Sequence, residues 1–232
     1  FPHLPVAVCE DRVLGINQLQ SLIPDLQCVI LDDAYQHRKL RAGFYILLTA
    51  YDNLYVNDYM LPRGNLRDLP AESARANAVI VTKCPDVISL DDCQMIHRTL
   101  HLASHQKLYY SRIAYNPLQI DSTPLLITGI ANPKLLLHHV QQQYPDTELL
   151  AFPDHHDFTS KDILTILDKA TKYDYVVTTE KDYMRMQSTR LIDALANKLQ
   201  VLPIKTDLGD DHEAFDLQIL SYLTECQRQG HM

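Results

Sequence analysis

The chain has 232 residues, 46% of them hydrophobic, and carries a formal charge of −8 from 21 basic and 29 acidic side chains. That length can bury a full core in one large domain or two small ones, and six glycines with twelve prolines exclude a fibrous or low-complexity chain. The acidic balance argues against a nucleic-acid partner, whose phosphates need concentrated Lys and Arg.

In chain order, short apolar runs alternate with amphipathic stretches. Strands are predicted over residues 5–9, 28–31, 44–48, 78–82, 107–114, 125–129, 148–152, 175–178 and 201–204. Helical segments lie between most of them, the mark of βα units and a mainly parallel sheet flanked by helices, so the expected fold class is α/β. The polar link containing Asn116-Pro117 and Asp121-Ser122-Thr123-Pro124 sets an expected boundary, giving lobes 1–117 and 118–232. Cys9, Cys28, Cys84, Cys93 and Cys226 form no Cys-x-x-Cys pair and are expected to be reduced core residues. No apolar run is long enough for a membrane-spanning helix.

The richest chemistry lies at residues 28–37. Cys28-Val29-Ile30-Leu31 suits a strand buried on both faces. Asp32 and Asp33 would then stand at its carboxyl edge, where open α/β sheets bind ligands. Any buried strand must end in something polar, yet carboxylates placed there also suit Mg²⁺ held against nucleotide phosphates. Arg38-Lys39-Leu40-Arg41 reads as a solvated turn or an anion contact.

Residues 49–68 form a long tyrosine-bearing loop, a length associated with function or mobility. Arg67 near its end suits a phosphate fork or a surface ion pair. His97, His101 and His105 recur every four residues without a flanking group to complete a metal site, and read as a solvated helix face. Asn132 and Pro133 read as the N-cap and first residue of a helix, and Ser160 as another N-cap. Asp154-His155-His156 suits a general-base dyad, a metal site or a polar loop, and the residues alone leave all three open. Lys181, between Glu180 and Asp182, suits a phosphate contact or a helix start.

Asp32-Asp33-Ala34-Tyr35-Gln36-His37 resembles the Asp-Asp-Gly-Phe-Gln-His signature of the tetraacyldisaccharide 4'-kinase (lipid A 4'-kinase) family. Leu61-Pro62-Arg63-Gly64-Asn65-Leu66-Arg67-Asp68, Gly129-Ile130-Ala131-Asn132-Pro133, Phe152-Pro153-Asp154-His155-His156 and Thr178-Thr179-Glu180-Lys181-Asp182 follow in the family's order. The resemblance implies a P-loop-kinase-like core with a second, smaller α/β lobe. It implies a kinase that moves the γ-phosphoryl of ATP to the 4'-hydroxyl of tetraacyldisaccharide 1-phosphate, giving lipid IVA. By the same resemblance the cofactors are ATP and Mg²⁺, Asp32 and Asp33 face the metal, and Asp33, Arg67 and His155 are catalytic. Gln36, His37 and Arg67 would border the substrate, an acylated glucosamine disaccharide phosphate met at the cytoplasmic face of the bacterial inner membrane.

Three departures stand out. Ala34 and Tyr35 replace the signature's glycine and phenylalanine, which makes a positive φ at residue 34 costly. Asp68 stands where the family tends to carry glutamate. No Gly-x-x-x-x-Gly-Lys-[Ser/Thr] loop occurs, so the chain is expected to be the C-terminal portion of a longer kinase, inactive alone. A degenerate non-catalytic module and another P-loop kinase with a soluble substrate are the alternatives.

Overall fold

Strand pairing, more than apolarity, decides where the sheets form. The structure, a computed structural model, describes residues 3–154 and 156–229. Its first elements are α1 (Arg12–Leu22), β1 (Ile46–Ala50), β2 (Ala78–Cys84), α2 (Leu90–Leu100) and β3 (Lys107–Tyr115). There follow β4 (Leu125–Thr128), α3 (Lys134–Gln143), β5 (Glu148–Ala151), α4 (Ser160–Ala170), β6 (Val176–Thr179), α5 (Glu180–Met186) and α6 (Leu191–Leu195). The chain closes with β7 (Leu199–Leu202), β8 (Ile204–Asp207) and α7 (His212–Gln229). Among the described residues two four-stranded sheets result, ordered β1-β2-β3-β8 and β5-β4-β6-β7.

The chain divides into two compact units, the boundaries falling within β3 and β8 of the first sheet, and the second sheet lies wholly in the second unit. The first unit comprises residues 1–112 with 207–232, the second residues 113–206. In the first, β2 runs parallel to both β1 and β3. Its side chains alternate across the sheet with the two-residue period of a strand. Val79 and Val81 join Leu54, Ile96 and Leu100 in one cluster, while Ala78 and Ile80 join Tyr109, Phe44 and Phe215 in another. In the second unit every pairing is parallel. Leu125, Ile127 and Val176 pack with Ile166, Met186 and Leu191, and Leu126 and Val177 pack on the other face with Leu136, Val140 and Leu202. Apolar residues on both faces of a parallel sheet are what βα connections produce.

The expected α/β class with its mainly parallel sheets is therefore what the chain adopts, but the structure departs from the reading in several places. Residues 5–9 and 28–31 are not strands, and Ile30 is 92% exposed. A strand is a relation between segments, and among the described residues no ladder includes either run. The expected cut at 117/118 leaves the C-terminal residues with the second lobe, whereas in the structure residues 207–232 belong with the first unit. The reason is packing: Phe215 meets Tyr109 edge-on at 5.2 Å, and the Tyr109 hydroxyl donates to Gln218 Oε1 at 2.7 Å.

Helix starts shift by one residue. α4 is capped by Thr159, not Ser160, in a reciprocal capping box with Asp162. Pro133 is the N-cap of α3, and Asn132 Oδ1 accepts from the Lys134 amide at 3.2 Å. His101 ends α2 at a φ of 47°, so the three spaced histidines do not share one helix.

Candidate active site

The signature residues 32–37 form a compact loop in place of the expected strand end. The His37 amide donates to Ala34 O at 3.0 Å and the Arg38 amide to Gln36 O at 2.9 Å. The left-handed backbone falls on Asp33, with a φ of 47°, and spares Ala34. A short polar side chain bears that conformation better than alanine does. Exchange of glycine for alanine at position 34 is thereby accommodated.

Tyr35 anchors the loop. Its hydroxyl donates to Glu72 O at 2.8 Å, its carbonyl accepts from Arg75 Nη2 at 3.1 Å, and the Arg75 guanidinium lies 4.4 Å from its ring centre. Burial pushes its phenol up to about 12. Arg38 and Arg75 in turn grip Asp68, at 2.8 and 3.3 Å, and both bind Glu72, at 3.1 and 3.0 Å. Arg38 is thus engaged by carboxylates in this arrangement.

Arg67 reaches Asp33. Its Nη1 donates to Asp33 Oδ2 at 3.1 Å and its Nη2 to Oδ1, a fork matched to the carboxylate. Both side chains remain more than half exposed. The Asp33 carboxyl is held below its ordinary 3.8, chiefly by the Arg67 hydrogen bonds, with partial burial opposing and the charges of Arg67, His37 and Arg12 assisting. Asp32 and His37 are exposed and Gln36 is half-buried.

The segment delivering Arg67 is well built. Asp58 Oδ1 accepts from the Tyr59 amide at 2.7 Å and the Asn65 amide at 3.3 Å. A Cβ on Gly64 would stand 2.2 Å from Asp58 Oδ1 and 2.3 Å from Tyr59 O, so only glycine fits there.

In the second unit, three of the motifs meet at the carboxyl edge of the sheet. Asp182 is fully buried, and its Oδ2 accepts from Thr128 Oγ1 at 2.7 Å and Thr179 Oγ1 at 2.9 Å. This ties the end of β4 to the end of β6. A Cβ on Gly129 would stand 3.1 Å from Pro153 O and 3.3 Å from Asp182 Oδ1. Lys181 Nζ donates to Asp154 Oδ1 at 3.0 Å. His155 lies outside the described residues. His156 stacks on Phe152 and bonds Asp162 Oδ2 at 2.9 Å, which makes it part of the α4 cap.

The structure therefore joins Asp33 to Arg67 and keeps Asp32, Gln36 and His37 on the same loop. The sequence reading missed the supporting set of Tyr35, Glu72, Arg75 and Asp182. A tyrosine in place of the signature's phenylalanine was the one visible signal, since its hydroxyl needs a partner when buried.

The fold is that of an α/β protein with mainly parallel sheets, whose charged motif residues lie in the loops of each unit. The profile of the tetraacyldisaccharide-1-P 4'-kinase family matches residues 1–224, and the chain belongs to that family. It is 41% identical to the tetraacyldisaccharide 4'-kinase of Flavobacterium johnsoniae over 237 residues, covering 97% of this chain and 68% of the relative. The relative of the same name from Flavobacterium psychrophilum is 39% identical, with 99% and 69% covered. That from Bacteroides thetaiotaomicron is 37% identical, with 99% and 68% covered. The chain thus spans about two thirds of the length of these relatives.

Proposed function

We propose that these residues serve a kinase that transfers the γ-phosphoryl of ATP to the 4'-hydroxyl of tetraacyldisaccharide 1-phosphate. The observation that carries the reading is the Arg67 fork on Asp33 within the Asp-Asp signature. Phosphoryl transfer is chiefly positioning and charge stabilisation, and a guanidinium held ready by a carboxylate suits it. Arg67 is the clamp for an anionic oxygen, and Asp33 fixes its direction until phosphate competes for it. Gln36 and His37 border the sugar or its phosphate. His155 orients the base that takes the hydroxyl proton.

Mg²⁺ fits the donor set in a restricted way. Two adjacent carboxylates are hard oxygen ligands, and Mg²⁺ is usually held by one or two such groups together with substrate phosphates and water. Both Asp33 oxygens accept from Arg67, so Asp32 would hold the ion and Asp33 would act on it only indirectly. The ion would neutralise charge on the phosphates when bound. Among the described residues no helix is long and apolar enough to cross a membrane. The acylated disaccharide is, on this reading, met at the cytoplasmic face of the inner membrane.

The test is phosphoryl transfer from labelled ATP to detergent-dispersed tetraacyldisaccharide 1-phosphate by the full reading frame that contains these residues. Transfer to the 4'-hydroxyl that falls by orders of magnitude in Asp32→Ala and Asp33→Ala supports the reading. Undiminished transfer in both variants, or transfer only to a water-soluble acceptor, refutes it.

A further inference from the structure

Four apolar residues in a row, Tyr59-Met60-Leu61-Pro62, stand exposed at the tip of the loop that ends in Arg67, the first three of them 54, 38 and 60% accessible. Single exposed apolar side chains are ordinary, whereas an unbroken run of them is a fault in a folded chain unless it serves a contact.

The tip is held out rigidly. The Leu61 amide donates to Leu66 O and the Leu66 amide to Tyr59 O, both at 3.0 Å, while the Arg63 and Gly64 amides donate to Met60 O at 3.0 and 3.2 Å. The Asn65 amide reaches the Asp58 carboxylate, and Pro62 has no amide hydrogen. Every backbone donor from Leu61 to Leu66 is therefore bonded within the loop or missing. Such a segment can leave water without stranding an amide, the condition that an apolar medium imposes on any backbone entering it.

Charge selects the medium. Residues 59–67 contain Arg63 and Arg67 and no acidic residue, in a chain whose formal charge is −8. The Arg63 guanidinium lies 4.1 Å from the Tyr59 ring centre and joins no ion pair among the described residues. Val87 and Leu90 are more exposed still, but they stand among Asp86, Asp91 and Asp92, which an anionic surface repels. A ring beside an unpaired cation on an apolar tip matches the headgroup boundary of an anionic bilayer, where the apolar body turns inward and the polar end stays wet. Four side chains fall well short of the roughly 1,200 Å² that a stable protein interface buries, which disfavours a second copy as the occupant.

We propose that the tip formed by residues 59–63 inserts into the headgroup boundary of an anionic bilayer and sets Arg67 at headgroup depth. The role of Arg67 there rests on the kinase reading above. The tip itself rests on the exposed run, the internally bonded backbone and the unpaired Arg63. So few side chains bind only marginally by themselves, so the contact orients the protein on the surface and does not anchor it.

The chain has no tryptophan, so Tyr59→Trp supplies a single reporter that keeps an aromatic face for Arg63. The variant is tethered by a C-terminal histidine tag to vesicles of phosphatidylethanolamine, phosphatidylglycerol and a nickel-chelating lipid. Its emission is expected to shift to the blue and to be quenched by brominated acyl chains, measured against the same vesicles without bromine. Leu164→Trp, at an exposed position of α4, should show neither effect. Adding Leu61→Asp to the reporter should lower the inserted fraction about tenfold, and adding Arg63→Gln about fivefold, only where phosphatidylglycerol is present. Emission indifferent to vesicles, equal quenching at both positions, or a blue shift that grows with protein concentration without lipid overturns the proposal, the last by giving the tip to a second copy. The two readings fail separately. Transfer by the full reading frame with an unquenched reporter ends the docking assignment alone, and insertion without transfer ends the kinase reading alone.

Discussion

Asp33 combines three demands in one side chain: a left-handed backbone, a charge and a bidentate partner. Asparagine tolerates the same φ but cannot form the charged fork. Asp33→Asn should therefore leave the melting temperature near that of the wild type while transfer by the full reading frame collapses, which a thermal melt beside a kinase assay will check. The partner change is as informative. Because Arg67 is the main cause of the lowered Asp33 carboxyl, Arg67→Ala should move that titration up toward its ordinary 3.8, read by carboxyl-carbon NMR. Arg67→Lys should recover part of the shift and little of the turnover, since an ammonium lacks the planar fork.

At the scale of elements, caps and tight approaches decide what holds. Thr159 and His156 bring the Asp162 carboxyl from 3.8 down to about 2, the threonine hydroxyl being the largest cause. A depressed carboxyl stabilises the fold at pH values above 3.8, and that contribution disappears as the pH falls toward about 2. Acid titration of the α4 amide signals should show loss of the cap in that interval, and Asp162→Asn should remove the dependence. Gly64→Ala forces a methyl group into Asp58 and the Tyr59 backbone, and is expected to destabilise by about 1–3 kcal/mol, visible as faster amide exchange over residues 58–66. The regular elements were readable because the short β-branched runs of β2 and β6 suit strands buried on both faces, and the helical spacing of Ile163, Ile166 and Leu167 follows from geometry that the segment carries itself. Val29-Ile30-Leu31 misled because burial on two faces needs partners that no local pattern specifies. In the same way, the Asp33 and Arg67 side chains were legible by motif, whereas the Arg75–Tyr35 bond that anchors their loop joins residues forty positions apart.

For the whole molecule, the second unit is an insertion within the first, entered along β3 and left along β8. Residues 113–206 carry their own sheet and both of its apolar faces. Expressed alone, they should fold with a cooperative melt. A fragment of residues 118–232 should instead carry α7 without Tyr109 or Ala78 to pack against, and its last helix should exchange its amides freely. β3 and β8 are hydrogen-bonded neighbours, which gives this insertion a mechanical consequence. Tension applied at the two ends of the polypeptide, as in an optical trap, meets the clasp of those strands before it can reach the inserted sheet. The extension record should therefore show the enclosing unit rupturing first and the enclosed one second, whatever their separate thermal strengths.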